Sequence, residues 1–448
     1  MKPRAGRAPD GGPEPLPLAV RVRRFLTTAR MVALIYSGYK ALQAWGALTG
    51  ASRRDDYYDR QHRRAALRVR DTAVRLEGLL IKACQFAGAR ADVLPPTWIE
   101  VLSTLHDRVP PRPFAFMRPW LERQLGRSVA ECFAEVEETP IAAASLAQVH
   151  RGRLRDGRTV AVKIQYPAID RVIATDLANF GFFIRLLARI ERRFDLRLVL
   201  DEIGKLIPLE LDFVNEAANA RRFAANFRDD ASVRFPEPIE DLTCRTVLTM
   251  TFMEGVKISD LEALRRIGAD PHEVAELLTR CYLRQILEHG FFHGDPHPGN
   301  LLVAPGPVLV VLDLGLAKEF SPQARLGTIQ LAAAIVARDG AAIGRAFRAL
   351  GFETRSGSDD TFEKIGELFL GQALHAGRAY ADVAMVERIA DELMEALRTN
   401  PLVRASSDLL LVLRVMGLLS GIGKQLDSQV DPLAAMMPFL LPAAVPSA

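Results

Sequence analysis

Phe291-Phe292-His293-Gly294-Asp295-Pro296-His297-Pro298-Gly299-Asn300 is the stretch on which the reading of this chain turns. An acid stands five residues ahead of an amide. The apolar Leu301-Leu302-Val303 follows, and a second apolar run, Val308 to Leu312, ends in Asp313-Leu314-Gly315. Acid, amide, hairpin and a second acid before glycine is the layout of phosphoryl-transfer sites in kinase-like folds. There one Asp orients the acceptor, while the Asn and the second Asp hold Mg2+ against the nucleotide phosphates. Moving a phosphoryl group asks little covalent chemistry of the protein, so three oxygen-bearing side chains at fixed separation supply most of the machinery. The bland alternative is a His/Pro/Gly turn between a helix and a hairpin.

Upstream, Gly157-Arg158-Thr159-Val160-Ala161-Val162-Lys163-Ile164-Gln165 begins polar and turns apolar, which predicts a turn into a strand. Lys163 within it is either a solvated edge residue or the strand lysine that grips nucleotide phosphates. Such a lysine needs a carboxylate to hold it, and Glu216, opening the helical stretch Glu216 to Phe227, is the candidate. One expected element is missing. Kinases cover the phosphates with a glycine-rich turn, because only glycine lets backbone N–H groups approach so closely. Here the chain reads Ala142-Ala143-Ala144-Ser145-Leu146-Ala147-Gln148-Val149-His150-Arg151-Gly152. Alanine is also small but loses the positive-φ conformations, so a stiffer loop is expected.

Together these motifs resemble the UbiB family of atypical, protein-kinase-like enzymes associated with ubiquinone and prenyl-lipid metabolism, over roughly residues 65–320. The alanine-rich loop with Ser145, Gln148 and His150 is similar to that family's replacement for the glycine-rich loop. Leu105-His106-Asp107-Arg108-Val109-Pro110-Pro111 resembles its helix-to-lobe linker, and Glu210-Leu211-Asp212 its Glu-x-Asp motif, followed by Glu216-Ala217-Ala218-Asn219. Asp295-Pro296-His297-Pro298-Gly299-Asn300 matches its catalytic loop almost letter for letter. A further hallmark is Lys-x-Gly-Gln on an N-terminal helix that folds over the active site. It is present as Lys82-Ala83-Cys84-Gln85, with Cys in place of Gly.

Leu76, Leu79, Leu80, Ala83 and Ala87 recur at helical spacing and predict one apolar stripe, with Lys82 and Gln85 facing away from it. From the residues alone, Lys82 and Gln85 form a solvated face. The resemblance implies instead that they enter the nucleotide site near Glu210 and Asp212. A lysine brought there must be balanced by carboxylates, so Lys82 is expected within ion-pair distance of Glu210 or Asp212. Leu314 stands where protein kinases carry Phe, and should serve as the same apolar plug beside Asp313.

The chain has 448 residues and 49% hydrophobic content, enough for two or three packed units. A net charge of +4 and the lack of a basic, aromatic-interleaved helix argue against nucleic acid. Cys84, Cys132, Cys244 and Cys281 show no metal-ligand or redox spacing, so a reducing compartment without disulfide or zinc is expected. Pro296 and Pro298 prevent His293 and His297 from pairing on a helix, which makes them scaffolding of the loop. Met31 to Gly50 contains Ser37, Lys40 and Gln43 and reads as an amphipathic or buried helix rather than a span. Arg21, Arg23, Arg24 and Arg30 precede it, and Arg53, Arg54, Arg60, Arg63 and Arg64 follow, a pattern suited to an anionic membrane surface. No apolar run follows the basic start closely enough for a secretory signal, so a cytoplasmic location, peripheral at the inner face of the membrane, is expected.

The expected fold class is α+β: a two-lobed, protein-kinase-like fold with an N-terminal helical extension over the active-site cleft. Residues 1–16 read as a disordered tail, 17–130 as the helical extension carrying Lys82 and Gln85, 131–255 as the N-lobe and 256–448 as a helical C-lobe. Thr243 to Phe252 reads as a strand leading into Met253-Glu254-Gly255, where the backbone would meet adenine, and Val274 to His289 as the helix before the catalytic loop. Helices follow Gly315 almost at once, with no Ala-Pro-Glu motif, which argues for a small-molecule or lipid-linked substrate rather than a peptide. The leading expectation is an ATP- and Mg2+-dependent atypical kinase or ATPase. Asp295 would orient the acceptor and Asn300 and Asp313 would bind Mg2+. Lys163 with Glu216 would clamp phosphates, and Lys82 would gate them. Ala142, Ala143, Ala144, Ser145, Gln148, Gln85, Glu210, Asp212 and Glu254 would line the nucleotide. The resemblance further implies a prenyl-lipid or quinone-pathway partner. The alternative is a nucleotide-binding, pseudokinase-like scaffold that regulates a membrane-associated biosynthetic complex.

Overall fold

The alternation Val160, Val162, Ile164 has the period of a strand, and in the computed structural model these residues lie on one face of β4 (Thr159–Gln165), fully buried. The structure describes residues 15–49, 54–88, 94–105, 111–190, 204, 207–356, 362, 400, 402–404, 407–428 and 430–440. The tail over 1–14, linker residues 106–110 and the end of the apolar segment 433–445 lie outside these. The chain divides into two compact units, Met1–Val214 with Pro238–Phe252, and Asn215–Glu237 with Met253–Ala448.

In the first unit an antiparallel sheet runs β1 (Glu135–Val136), β3 (Ala147–Arg153), β4, β6 (Val247–Thr251), with β2 (Ala142–Ala143) alongside β3. The buried face of β4 packs on Phe114, Met117, Leu121 and Phe133, so Lys163, between Val162 and Ile164, is turned to the opposite face. Preceding the sheet are α1 (Leu18–Thr49), α2 (Arg54–Leu76), α3 (Leu79–Gly88), α4 (Pro96–Ser103), α5 (Phe114–Leu125) and α6 (Val129–Cys132), and α7 (Ile169–Ile190) follows β4. Met31, Ala73, Leu76, Leu80, Ile81, Cys84, Leu102 and Leu105 form the core of the helical part.

Three expectations change here. First, the segment expected from Met31 is the end of a helix that starts at Leu18, so the arginine cluster is itself helical. Within it Arg24 is buried: Nε and Nη2 donate to the Asp176 carboxylate at 2.8 and 2.6 Å, and Nη1 donates to the Leu76 carbonyl at 2.8 Å. Arg24 therefore leaves the set of membrane-facing arginines, because α7 supplies an internal carboxylate that the sequence does not reveal. Burial pushes the Asp176 carboxyl above its ordinary range, and the Arg24 hydrogen bonds oppose that push.

Second, the apolar stripe does not lie on one helix. Glu77 (φ 54°) and Gly78 (φ 64°) both take left-handed backbone and break the chain between α2 and α3. Leu76 ends the first helix, while α3 buries Leu79, Leu80, Ile81 and Cys84. Cys84 thus faces the helical core, where burial pushes its thiol up to about 12. Third, the helices expected almost at once after Gly315 are preceded by β11 (Ala317–Glu319), and within the part expected to be helical β12 (Glu353–Thr354) pairs with β13 (Leu402–Arg404).

The second unit holds α8 from Asn215 onward (the helix is Phe213–Asn226), α9 (Leu261–Arg266) and α10 (Pro271–Leu283), whose end winds into a π-helical turn, Arg284–His289. Its four-stranded sheet runs β5 (Val233–Arg234), β10 (Val308–Val311), β9 (Leu301–Ala304), β7 (Val256–Lys257), and β8 (Phe291–His293) pairs with β11. Gly255 lets the chain pass β9 closely: a Cβ there would stand 3.0 Å from both the Val303 carbonyl oxygen and the Leu302 Cβ. The helices α11 (Pro322–Ala337), α12 (Gly340–Ala349), α13 (Ser407–Gln425) and α14 (Pro432–Leu440) complete the described part. Among the described residues no helix is long and apolar enough to cross a membrane.

Because Cys84 packs inside the helical core, Cys84→Gly should destabilise the protein even though it restores the motif's usual glycine. Lost burial and the backbone freedom of a mid-helix glycine together predict a loss of about 1–2 kcal/mol, read as a lower urea midpoint.

Candidate active site

His293 sits in β8 with no solvent exposure. Its Nε2 lies 2.9 Å from the Asp313 carbonyl oxygen, and its Nδ1 lies 2.8 Å from the Tyr282 hydroxyl. A carbonyl can only accept, so Nε2 carries the proton and Nδ1 accepts from Tyr282. Its backbone N–H donates to Gln285 Oε1 at 2.9 Å, which ties β8 to the π-helical turn. Burial holds His293 below its ordinary range, against the pull of Asp295 and Asp313. Burial also raises the Tyr282 hydroxyl, which stays a donor. The same contact fixes Asp313, whose φ of 49° is left-handed, a region that Asp and Asn tolerate better than most side chains.

The β9–β10 hairpin does the rest by register. Leu301 stands opposite Val311, and the next pair is closed by Leu312 N–H donating to the Asn300 carbonyl at 2.8 Å. Asn300 and Asp313 therefore emerge at the same end of one hairpin. Behind them Leu314 is buried in the core with Phe291, Phe292 and Phe320, as the apolar plug requires. Its carbonyl accepts from Asn219 Nδ2 at 2.9 Å, which ties α8 to this segment. Glu216, also on α8, is buried. Its Oε2 and the Asp313 Oδ1 each lie 3.6 Å from where a Cβ at Gly315 would be. Asp295, half-buried, has Arg414 Nη2 3.7 Å from its Oδ1. His297 caps the short 3-10 turn Pro298–Asn300 by accepting from the Gly299 N–H at 3.1 Å, a scaffolding role.

In the first unit, Lys82 Nζ lies 2.9 Å from Glu210 Oε1, the contact expected of it, with side chains 30% and 17% exposed. Asp212 accepts from the Val214 N–H at 3.0 Å and so caps the start of α8. Lys163 Nζ stands 5.0 Å over the ring of Phe213. Ala142 and Ala144 are exposed, Ala143 is half-buried and Ser145 is buried, and no residue from 142 to 152 has positive φ, consistent with a stiff turn. Gln148 has a different task from the one expected. It is fully buried, and its amide both accepts from the Arg112 N–H at 2.9 Å and donates to the Arg112 carbonyl at 3.0 Å. It also lies 2.8 Å from His150 Nε2, so the side chain is consumed inside the fold rather than offered to a nucleotide. Glu254 is exposed, two residues beyond Phe252. The side chain of Gln85 lies outside the described residues. Lys163 and Glu216 belong to different units.

The donors fit the metal expected. Among the described residues no three His, Cys, Asp or Glu gather to hold a metal by themselves. Mg2+ at nucleotide sites takes one or two carboxylates, completing its shell with phosphate and water oxygens. The amide oxygen of Asn300 and the carboxylate of Asp313 are hard oxygen donors of that kind. Sequence reading missed Arg414 and Arg112. Arg414 is the lone charge between Leu409 and Ile422, and no spacing links it to Asp295. Arg112 follows two prolines and looks like linker.

A model of the ABC1 atypical kinase-like domain matches residues 104–347. AarF domain-containing protein kinase 1 of Xenopus tropicalis is 37% identical over 283 residues, covering 62% of this chain and 54% of its own length. The chloroplastic ACTIVITY OF BC1 COMPLEX KINASE 8 of Arabidopsis thaliana is 31% identical over 405 residues, covering 83% of this chain and 53% of its own. This chain thus spans about half the length of these curated relatives. Among solved structures, a Mycobacterium tuberculosis protein, Rv3197, in complex with erythromycin matches with a TM-score of 0.59 and 25% identity. The match covers 88% of this chain and 100% of that one.

Buried, neutral histidines give the fold a pH signature. His150, whose Nδ1 donates to the Glu137 carbonyl at 2.8 Å, is held below its ordinary value by burial, as are His289 and His293. In the unfolded chain these groups titrate near about 6.5. Above that value both states are neutral. Below it the unfolded state takes up protons that the native state refuses, so stability is lost as pH falls from the unfolded value toward the depressed folded ones. The urea midpoint should therefore hold between about pH 8 and 7 and fall from about 6.5 downward. A midpoint that rises on mild acidification would contradict the assignment.

Proposed function

The chain belongs to the ABC1 atypical kinase-like family, the UbiB group, and from that premise we propose that it is an ATP- and Mg2+-dependent atypical kinase or ATPase acting on, or supporting the metabolism of, a small or lipid molecule of the isoprenoid-quinone class. The observation that carries this reading is the hairpin end at which Asn300 and Asp313 emerge together, with Asp313 pinned by His293. Asp295 orients the acceptor hydroxyl or water. Asn300 and Asp313 hold Mg2+, which when bound neutralises charge on the phosphates. Lys163, steadied by Glu216, grips phosphate oxygens, and the turn of Ala142 to Ser145 covers them. Lys82, held by Glu210, gates the nucleotide. The intact set Asp295, Asn300 and Asp313 favours turnover over the scaffold reading.

Asp313→Asn isolates the charge, since Asn tolerates the same left-handed backbone. Binding of Mg-ATP should weaken far more than binding of metal-free ATP, measured by titration calorimetry. Equal loss for both would sink the metal assignment. Phosphate release by the unmodified protein, with and without a prenyl-lipid mimic, separates enzyme from scaffold: none in either condition favours the scaffold.

A membrane surface is the second part of the proposal. On α1 the exposed Leu18, Leu26 and Leu48 accompany exposed Arg21, Arg23 and Arg30, a composition suited to an anionic lipid surface. Each near-surface charge contributes on the order of 1 kcal/mol. Sedimentation should therefore show binding to anionic but not neutral vesicles, weakening with salt. Arg24→Gln should alter this binding less than Arg23→Gln. Binding indifferent to lipid charge would assign the exposed leucines to another partner.

A further inference from the structure

Helix α3 is aimed by what happens two residues before it starts. The last carbonyl of α2, at Leu76, would be an orphan group of a helix end, and Arg24 Nη1 satisfies it at 2.8 Å. The rest of that guanidinium is engaged by both oxygens of Asp176 on α7. Side chains at 8% and 2% exposure make this a dry, three-bond junction of α1, α2 and α7. Gly78 presses on the same helix: a Cβ there would meet Val172 Cγ1 at 3.1 Å and Asp176 Oδ2 at 3.9 Å. The next turn starts from this point, with Lys82 N–H reaching the Gly78 carbonyl at 3.4 Å. A second tie comes from the other side. Arg112 Nη2 lies 3.4 Å from Glu77 Oε2, its guanidinium stacks 4.7 Å over Tyr166, and its backbone is gripped by Gln148 of β3.

We propose that Arg24 is a positioning residue for Lys82. By fastening the end of α2 to Asp176, it fixes the left-handed Glu77–Gly78 break from which α3 directs Lys82 onto Glu210. Arg112 is the auxiliary tie, linking the same break to the alanine-rich hairpin. The proposal rests on the reading of Lys82 as the gate of the nucleotide site. The arginines act through the backbone of the break, so their loss displaces α3 as a body and not Lys82 alone.

That distinction makes Cys84 a reporter, because it lies on α3 and is buried against the helical core. Removing one member of a buried ion pair leaves the other uncompensated, whereas replacing both by apolar groups is often near neutral. The main variant is therefore the double change Arg24→Met with Asp176→Leu, and Arg112→Gln is the milder one. The full chain is pulsed with an alkylating reagent under native conditions, and mass spectrometry reads Cys84 and Cys281, both buried in the native fold. The double variant should label Cys84 at least tenfold faster than the unmodified protein, with Cys281 unchanged, and Arg112→Gln should give a smaller rise at Cys84. An unchanged Cys84 rate in the double variant overturns the proposal. So does an equal rise at Cys281, which marks general loosening. ATP and ADP affinities supply the functional arm: the double variant should shift them in the same direction as Lys82→Met, and combining the changes should add nothing. Lys82→Met with unaltered affinities defeats the gating reading by itself, and the labelling still decides whether Arg24 positions the helix.

Discussion

The imidazole of His293 is fully buried, and both ring nitrogens are engaged, one by the hydroxyl of Tyr282 and one by the carbonyl of Asp313. Protonation would put a second N–H against the Tyr282 oxygen and a charge into the apolar core. Neutrality is thus a condition of the geometry, and the geometry is what keeps a non-glycine residue in left-handed backbone at Asp313. The residues that matter chemically follow from it. Asp313 turns where the hairpin ends, Asn300 lies across the last rung, and Leu314 drops into the core one residue on. An Asp at a strained turn, supported by a buried donor that contributes no chemistry of its own, is a common way to hold a reactive group still.

A different physical solution orders the first unit. There a helix break, not a strand end, needs to be held, and its support is ionic. A buried arginine–carboxylate pair is weak evidence for net stability, because desolvation offsets much of the attraction. Its bidentate geometry does confer direction, since a planar fork meets a carboxylate in few ways. Arg24 adds a third bond, to the Leu76 carbonyl at the end of α2, and so joins three helices at one point. The pair between Lys82 and Glu210, by contrast, is partly open to solvent and can exchange partners at modest cost.

How much of this was legible depends on whether the cause is local. The strand around Lys163, the β9–β10 hairpin and the pairing of Lys82 with an acid of Glu210-Leu211-Asp212 were readable, because period, turn residues and motif spacing are short-range signals. The break at Glu77 was not. Glu is no turn former, and only Gly78 hints at an interruption of an otherwise good helical pattern. Arg24 read as surface because its carboxylate arrives from a helix far along the chain. Gln148 read as a ligand because a polar residue in a nucleotide loop usually is one, and its true partner is the backbone of Arg112. Arg414 had no signal at all, since one cation within the apolar run from Leu409 to Ile422 says nothing about what it faces.

The order in which the chain visits its two units carries a consequence for synthesis. It leaves the first unit after Val214, contributes residues 215–237 to the second, returns for Pro238–Phe252, and only then commits to the second. The strand β6 that borders β4 is therefore made after Glu216, Asn219 and the aromatic residues Phe223, Phe227 and Phe235 of the other core. On a ribosome the first sheet cannot finish until a segment foreign to it has already emerged, and that segment waits for a core not yet translated. No single cut of the gene leaves both units whole. A fragment ending at Phe252 carries an unhoused helix and three orphaned phenylalanines, and one beginning at Met253 lacks Glu216. Such interleaving makes the two units obligate companions in biogenesis, and marks the interval before the second core closes as the time when a chaperone has most to protect.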